Sequence, residues 1–143
     1  MEDKELEEIL EKLYRKYVKG GEQAEEEPSD PVVESLGWDN FLKLVKEKKL
    51  VVAVVTSPTC SACMFYIPIF TEYASRNRAR GVVYVIVDVY RDPETAYALG
   101  VMATPTTLIF HKGELVDGFV GAVSYEDLEA RIGRWLRKVA EEE

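Results

Sequence analysis

LVVAVVTSPTCSACMFYIP, residues 50–68, decides how this chain is read. Its first seven residues are valine-rich and almost wholly apolar, the pattern of a strand buried on both faces. Residues 63–76 have the composition and length of a helix, with Pro68 removing one backbone donor inside it. Cys60 and Cys63 lie between the two and are the chain's only cysteines. A thiolate at a helix start meets unpaired N–H groups and the positive end of the helix dipole. Both lower the thiol pKa below its free value of about 8.5 and make it a nucleophile near neutral pH. The second cysteine follows one turn later, within reach of a small disulfide. The arrangement reads as a redox dithiol, with Cys60 as attacker and Cys63 as the deeper, resolving thiol.

Outward from this junction the elements alternate. Residues 32–36 are a short apolar stretch, and residues 38–48 (WDNFLKLVKEK) have helical spacing with Asp39 near the start. Residues 82–89 (VVYVIVDV) read as a second buried strand. Asp92-Pro93 opens a short helix that Gly100 ends. Residues 106–110 and 115–120 read as strands around the turn His111-Lys112-Gly113-Glu114, giving a hairpin. The last helix opens at Ser124, with Asp127 completing a capping-box pattern, and carries Leu128, Ile132, Trp135, Leu136 and Val139. The order β-α-β-α-β-α-β-β-α predicts an α/β domain, a central mixed β-sheet with helices on both faces, over residues 32–143.

Two further units precede it. In residues 1–19, Leu6, Ile9, Leu10, Leu13, Tyr14 and Tyr17 recur at helical spacing, giving an amphipathic helix with one apolar stripe. The polar, acidic stretch GGEQAEEEPSDP, residues 20–31, reads as a linker. The stripe needs cover, either from the helix's own domain or by self-association with another chain.

At 143 residues and 47% hydrophobic the chain has enough apolar material for one proper core. A formal net charge of −8 and a pI of about 4.8 argue against nucleic acid or an anionic membrane as main partner. The apolar run at residues 50–55 is too short to span a bilayer. The start MEDKELEEILEK lacks an apolar secretory core, so a cytoplasmic location is expected. One Gln and two Asn beside abundant Glu, Lys and Arg lean toward a thermophilic source.

The CxxC at a strand-to-helix junction, Pro68 five residues after it, Thr104-Pro105, Gly113 in the hairpin turn and Val120-Gly121-Ala122 before the last helix occur in this order. In these landmarks, over roughly residues 32–140, the chain resembles the thioredoxin superfamily. The resemblance implies a thioredoxin fold, here with an extra N-terminal helix, and a thiol–disulfide oxidoreductase that reduces or exchanges protein disulfides. It implies a cis bond before Pro105, with Thr104 offering its backbone to a substrate strand and Gly121 flanking the same groove. It implies a disulfide reductase as electron donor, and neither cofactor nor metal.

The departures are as specific. Thr59 stands where thioredoxins usually carry Trp, and Ser61-Ala62 replace Gly-Pro between the cysteines. The family's buried acid falls at Val54 and its accompanying lysine at Ile86; Asp88, on the same side of the same strand, is the nearest carboxylate for proton transfer. Three other readings compete with a thioredoxin-like enzyme. A glutathione-dependent, glutaredoxin-like enzyme usually carries Gly-Gly where Gly121-Ala122 stand. A non-catalytic binding module would use the N-terminal helix to dock a partner. A zinc site needs four ligands, and His111, read as a solvated turn residue, is the chain's one histidine. Phe65 and Tyr66 divide between the core and the groove, in an order the sequence leaves open.

Overall fold

The computed structural model describes residues 6–9 and 30–142. Within residues 30–142 the chain runs β1 (Val32–Glu34), α1 (Trp38–Glu47), β2 (Leu50–Thr56), α2 (Ser61–Arg76), β3 (Val82–Asp88), α3 (Pro93–Ala98), β4 (Thr106–His111), β5 (Glu114–Val120) and α4 (Tyr125–Glu141). The strand order is β1-β3-β2-β4-β5. β3 lies parallel to both β1 and β2, while β4 is antiparallel to β2 and to β5. This is a mixed sheet of the thioredoxin type, with helices on both faces. Most of the helix predicted for residues 1–19 and of the linker at 20–31 lies outside the described residues; residues 6–9 are helical, with Leu6 and Ile9 exposed.

Side-chain alternation along β2 divides the core in two. Leu50, Val52 and Val54 join Tyr66, Phe70 and Tyr73 of α2 and Leu128, Ile132 and Val139 of α4. Val51, Ala53 and Val55 join Phe41 and Val45 of α1 and Ala96 of α3. All seven β2 residues are buried, which is why the strand reads as an unbroken apolar run.

Most boundaries shift by a residue or two from the sequence reading. α2 starts at Ser61, with Cys60 as its N-cap, and continues through Pro68 to Arg76. Ser124 and Asp127 form the full reciprocal capping box of α4. His111 departs more: it is not a solvated turn residue. It is the last residue of β4, paired with both Leu50 and Glu114, and its side chain is 11% exposed. Its ring lies against Trp135, and its Nε2 is 3.1 Å from Glu142 Oε1, with Lys112 Nζ 2.9 Å from the other carboxylate oxygen. The hairpin is thereby pinned to the end of the last helix.

A second tie joins loops distant in sequence. Asp92, the N-cap of α3, is 3% exposed. Its carboxylate accepts from Ser35 Oγ at 2.6 Å, from the Gly37 N–H at 2.9 Å and from the Thr95 N–H at 3.2 Å. Burial pulls its pKa up, but these donors outweigh burial and hold the carboxyl below its ordinary value. With the folded pKa depressed, its contribution to stability is full above the unfolded value of about 4 and is lost as pH falls through the folded one. Asp92→Ala leaves buried donors unpaired and should cost about 2–4 kcal/mol in urea unfolding. The gap between wild type and variant should narrow below about pH 4. An unchanged urea midpoint at pH 7 would contradict this role.

Candidate active site

β2 ends at Thr56, and the chain turns through Ser57-Pro58-Thr59 before α2 begins. The Cys60 N–H donates to Ser57 O at 3.2 Å, and Cys60 takes the N-cap position with extended backbone (φ −101°, ψ 116°). Its Sγ does what a capping oxygen does: it accepts the Cys63 N–H at 3.2 Å. On its other side the thiol donates to the Thr104 carbonyl at 3.4 Å. Both cysteines are free thiols, Cys60 half-buried and Cys63 only 2% exposed.

The Cys60 pKa is lowered, first by hydrogen bonding from the Cys63 side chain and then from that of Thr104, with burial opposing and backbone N–H groups adding to the fall. The Thr104 carbonyl favours the protonated thiol, and the donors outweigh it. Hydrogen bonds to the charged form decide the direction.

The loop before β4 completes the other wall. Its Thr104–Pro105 bond is cis. Thr106 Oγ1 donates to Ala103 O at 2.6 Å, and the Gly121 N–H donates to Pro105 O at 2.7 Å. Gly121 has φ +102°, a conformation that side chains resist and glycine adopts freely. The fold therefore brings Cys60, Cys63, Thr104, Pro105 and Gly121 together, although the Thr104 carbonyl is already engaged by the thiol. The bracing role of Thr106 has no sequence signal, since a lone threonine after a proline does not announce that its hydroxyl will tie back to the loop.

Beside Cys63 lies an open cleft of about 440 Å³ lined by Thr56, Met64, Ile67, Pro68, Ile86 and Asp88, among others. Val54 pairs with Ile86 across β2 and β3, so the acid and lysine of the resemblance give way to an apolar pair. One step further, Thr56 pairs with Asp88. Asp88 is the last residue of β3. Its Oδ1 accepts the Tyr90 and Arg91 N–H groups at 2.8 and 3.4 Å, and its side chain lines the cleft shared with Cys63.

The order of Phe65 and Tyr66 is now fixed. Tyr66 is fully buried and its hydroxyl bonds Thr107 Oγ1 at 2.7 Å; burial first, partly countered by that bond, pushes its pKa up to about 12. Phe65 is 76% exposed. His111, paired with Leu50, sits at the opposite end of β2 from the dithiol. Among the described residues no three His, Cys, Asp or Glu side chains are grouped to hold a metal ion.

The thioredoxin family model matches residues 32–134. The chain belongs to the thioredoxin family. Its similar relatives include Thioredoxin H4 of Arabidopsis thaliana, 36% identical over 96 residues, covering 66% of this chain and 79% of that one. The thioredoxin of Alicyclobacillus acidocaldarius is 29% identical over 98 residues, covering 68% and 92%. Among solved structures, the reduced thioredoxin pre-protein of Schistosoma mansoni matches with a TM-score of 0.65 at 29% identity, over 75% of this chain and 99% of that one. Malassezia sympodialis thioredoxin matches with a TM-score of 0.66 at 25% identity, over 77% and 95%. The chain is accordingly an enzyme of the thiol–disulfide oxidoreductase class.

The two thiols should differ sharply in reactivity. Limiting iodoacetamide near neutral pH should label Cys60 first in peptide mass spectra, with a pH–rate midpoint below the free-thiol value of about 8.5. Cys63→Ala removes the side-chain donor that does most to lower the Cys60 pKa and should move that midpoint upward. Predominant labelling of Cys63 would overturn the assignment.

Proposed function

We propose that this thioredoxin-family protein reduces or exchanges disulfides in protein substrates, with Cys60 as nucleophile and Cys63 as resolving thiol. The observation that carries the reading is the capping geometry of Cys60, whose sulfur is held on the Cys63 N–H at a helix start while Cys63 stays buried behind it. The Cys60 thiolate attacks one substrate sulfur and forms a mixed disulfide, and the second substrate sulfur leaves as a thiolate. Cys63 loses its proton and attacks Cys60 Sγ. The substrate sulfur that was bonded to Cys60 leaves as a thiolate, and two electrons have passed from the Cys60–Cys63 dithiol to the substrate. Thr104, Pro105 and Gly121 form the wall against which the substrate segment is held. A disulfide reductase returns the Cys60–Cys63 disulfide to the dithiol.

Resolution needs a base for the Cys63 proton, and we assign that task to Asp88, across the cleft the two residues share. A cleft open to solvent admits the water that carries the proton between them. Asp88→Asn should slow release of the mixed disulfide several-fold near pH 6–7, with the deficit closing above about pH 8.5, where thiols ionise unaided. Loss of equal size at every pH, or none, would remove Asp88 from the mechanism.

Insulin reduction with dithiothreitol tests the main reading. Cys60→Ser should fall to the rate of dithiothreitol alone, and Cys63→Ser should accumulate a mixed disulfide visible by intact mass. Equal rates for wild type and Cys60→Ser would refute the proposal.

A further inference from the structure

The chain has three methionines, and apart from Met1 one follows Cys63 and the other lies two residues before Thr104. Met64 follows Cys63 directly, and its N–H caps the first turn of α2 on Cys60 O at 3.2 Å. Its side chain is 72% exposed and lines the cleft that Cys63 faces. Met102 lies two residues before Thr104, in the loop whose Thr104 carbonyl accepts the Cys60 thiol, and is 99% exposed. Phe65, next to Met64 in the first turns of α2, is also exposed, so the segments carrying the dithiol and Thr104 both present bare apolar side chains.

A thioether is an adaptable contact for many apolar partners, and it is also the side chain most readily turned polar by peroxide. Exposure of this order leaves the sulfurs fully open to a small oxidant. Neither is held by packing that oxidation would have to break.

We propose that Met64 and Met102 are a peroxide-modification site that weakens substrate docking without touching the dithiol. The inference rests on the proposed disulfide chemistry for its consequence, though not for the modification itself. In the step, the thioether sulfur attacks one oxygen of the peroxide. An S–O bond forms, the O–O bond breaks, and the peroxide leaves as water: the sulfur is oxidised by two electrons and the peroxide reduced by two. The product sulfoxide is polar and chiral, and it replaces an apolar contact beside the mixed-disulfide position. Thiol reductants that reopen the Cys60–Cys63 disulfide leave it in place, and methionine sulfoxide reductases restore it. The dithiol registers the present redox state, while the two methionines retain a record of past peroxide.

The disulfide form gives a clean test, because its cysteines are protected during treatment. Oxidised wild type is exposed to hydrogen peroxide, desalted, mapped by peptide mass, reduced with dithiothreitol and assayed on insulin. Residues 64 and 102 should each gain one oxygen. KM should rise roughly three- to tenfold with kcat retained, as expected when an interaction used for binding rather than for chemistry is lost. A Met64→Leu/Met102→Leu protein carried through the same treatment should show a treated-to-untreated KM ratio of one. Incubating treated wild type with methionine sulfoxide reductases should return its KM. Unmodified methionines at a peroxide dose that fully oxidises free methionine would overturn the inference. So would complete modification with KM unchanged, or an equal rise in the leucine variant. An untreated protein unable to reduce insulin would instead sink the disulfide chemistry, and this inference with it.

Discussion

Seven consecutive residues without room to move, Leu50–Thr56, are the constraint on which the structure rests. β2 is hydrogen-bonded along both edges, to β3 and β4, and packed on both faces by helices. A strand locked on four sides delivers the residues after it to a fixed place. From its end at Thr56, three residues lead to Cys60 and the first turn of α2. Cys60 is thus set on rigid elements, with its position fixed by the core and its thiolate form favoured by the turn it caps.

That stabilisation is local. Cys60 draws on the Cys63 side chain, the Thr104 side chain and the first N–H groups of α2. No buried charge beneath the dithiol takes part, because Val54 and Ile86 face each other there. The polar atoms in that layer are instead neutral, in the Tyr66–Thr107 hydroxyl pair, with Thr107 directly opposite Val54 on β4. A neutral hydrogen-bonded pair meets the polar demands of a core without the large desolvation cost of an ion. The carboxylate that lines the cleft beside Cys63 lies further along, at the end of β3, in Asp88.

Local signals account for what the sequence revealed. β2 and β3 announce themselves as valine runs, α2 by the cysteine at its start, α4 by its capping box and apolar spacing, and the hairpin by Lys112-Gly113. The dithiol and the Thr104-Pro105 wall were legible because each is a short contiguous motif. What stayed hidden depends on side chains that meet across distance. Asp92 announces a helix start, yet nothing near it says that its carboxylate will also hold Ser35 and Gly37. His111 looks like a turn residue until α4 places Trp135 and Glu142 beside it. Phe65 and Tyr66 are neighbours of similar hydropathy, and only the angular position of α2 sends one inward and the other to solvent.

The burial that makes β2 so good an anchor also makes it hazardous when bare. LVVAVVT has high β-propensity, no charge and no proline, the profile of a segment that stacks into cross-β fibrils. β2 is made before either of its partners, so a nascent or heat-opened chain exposes two unpaired edges at once until β3 and β4 join it. Lys46, Lys48 and Lys49 directly before it, and Pro58 just after, flank it as gatekeepers, placing charge and a missing backbone donor where an intermolecular sheet would extend. Resistance to aggregation in this protein is therefore written in the few residues that border its most deeply buried strand.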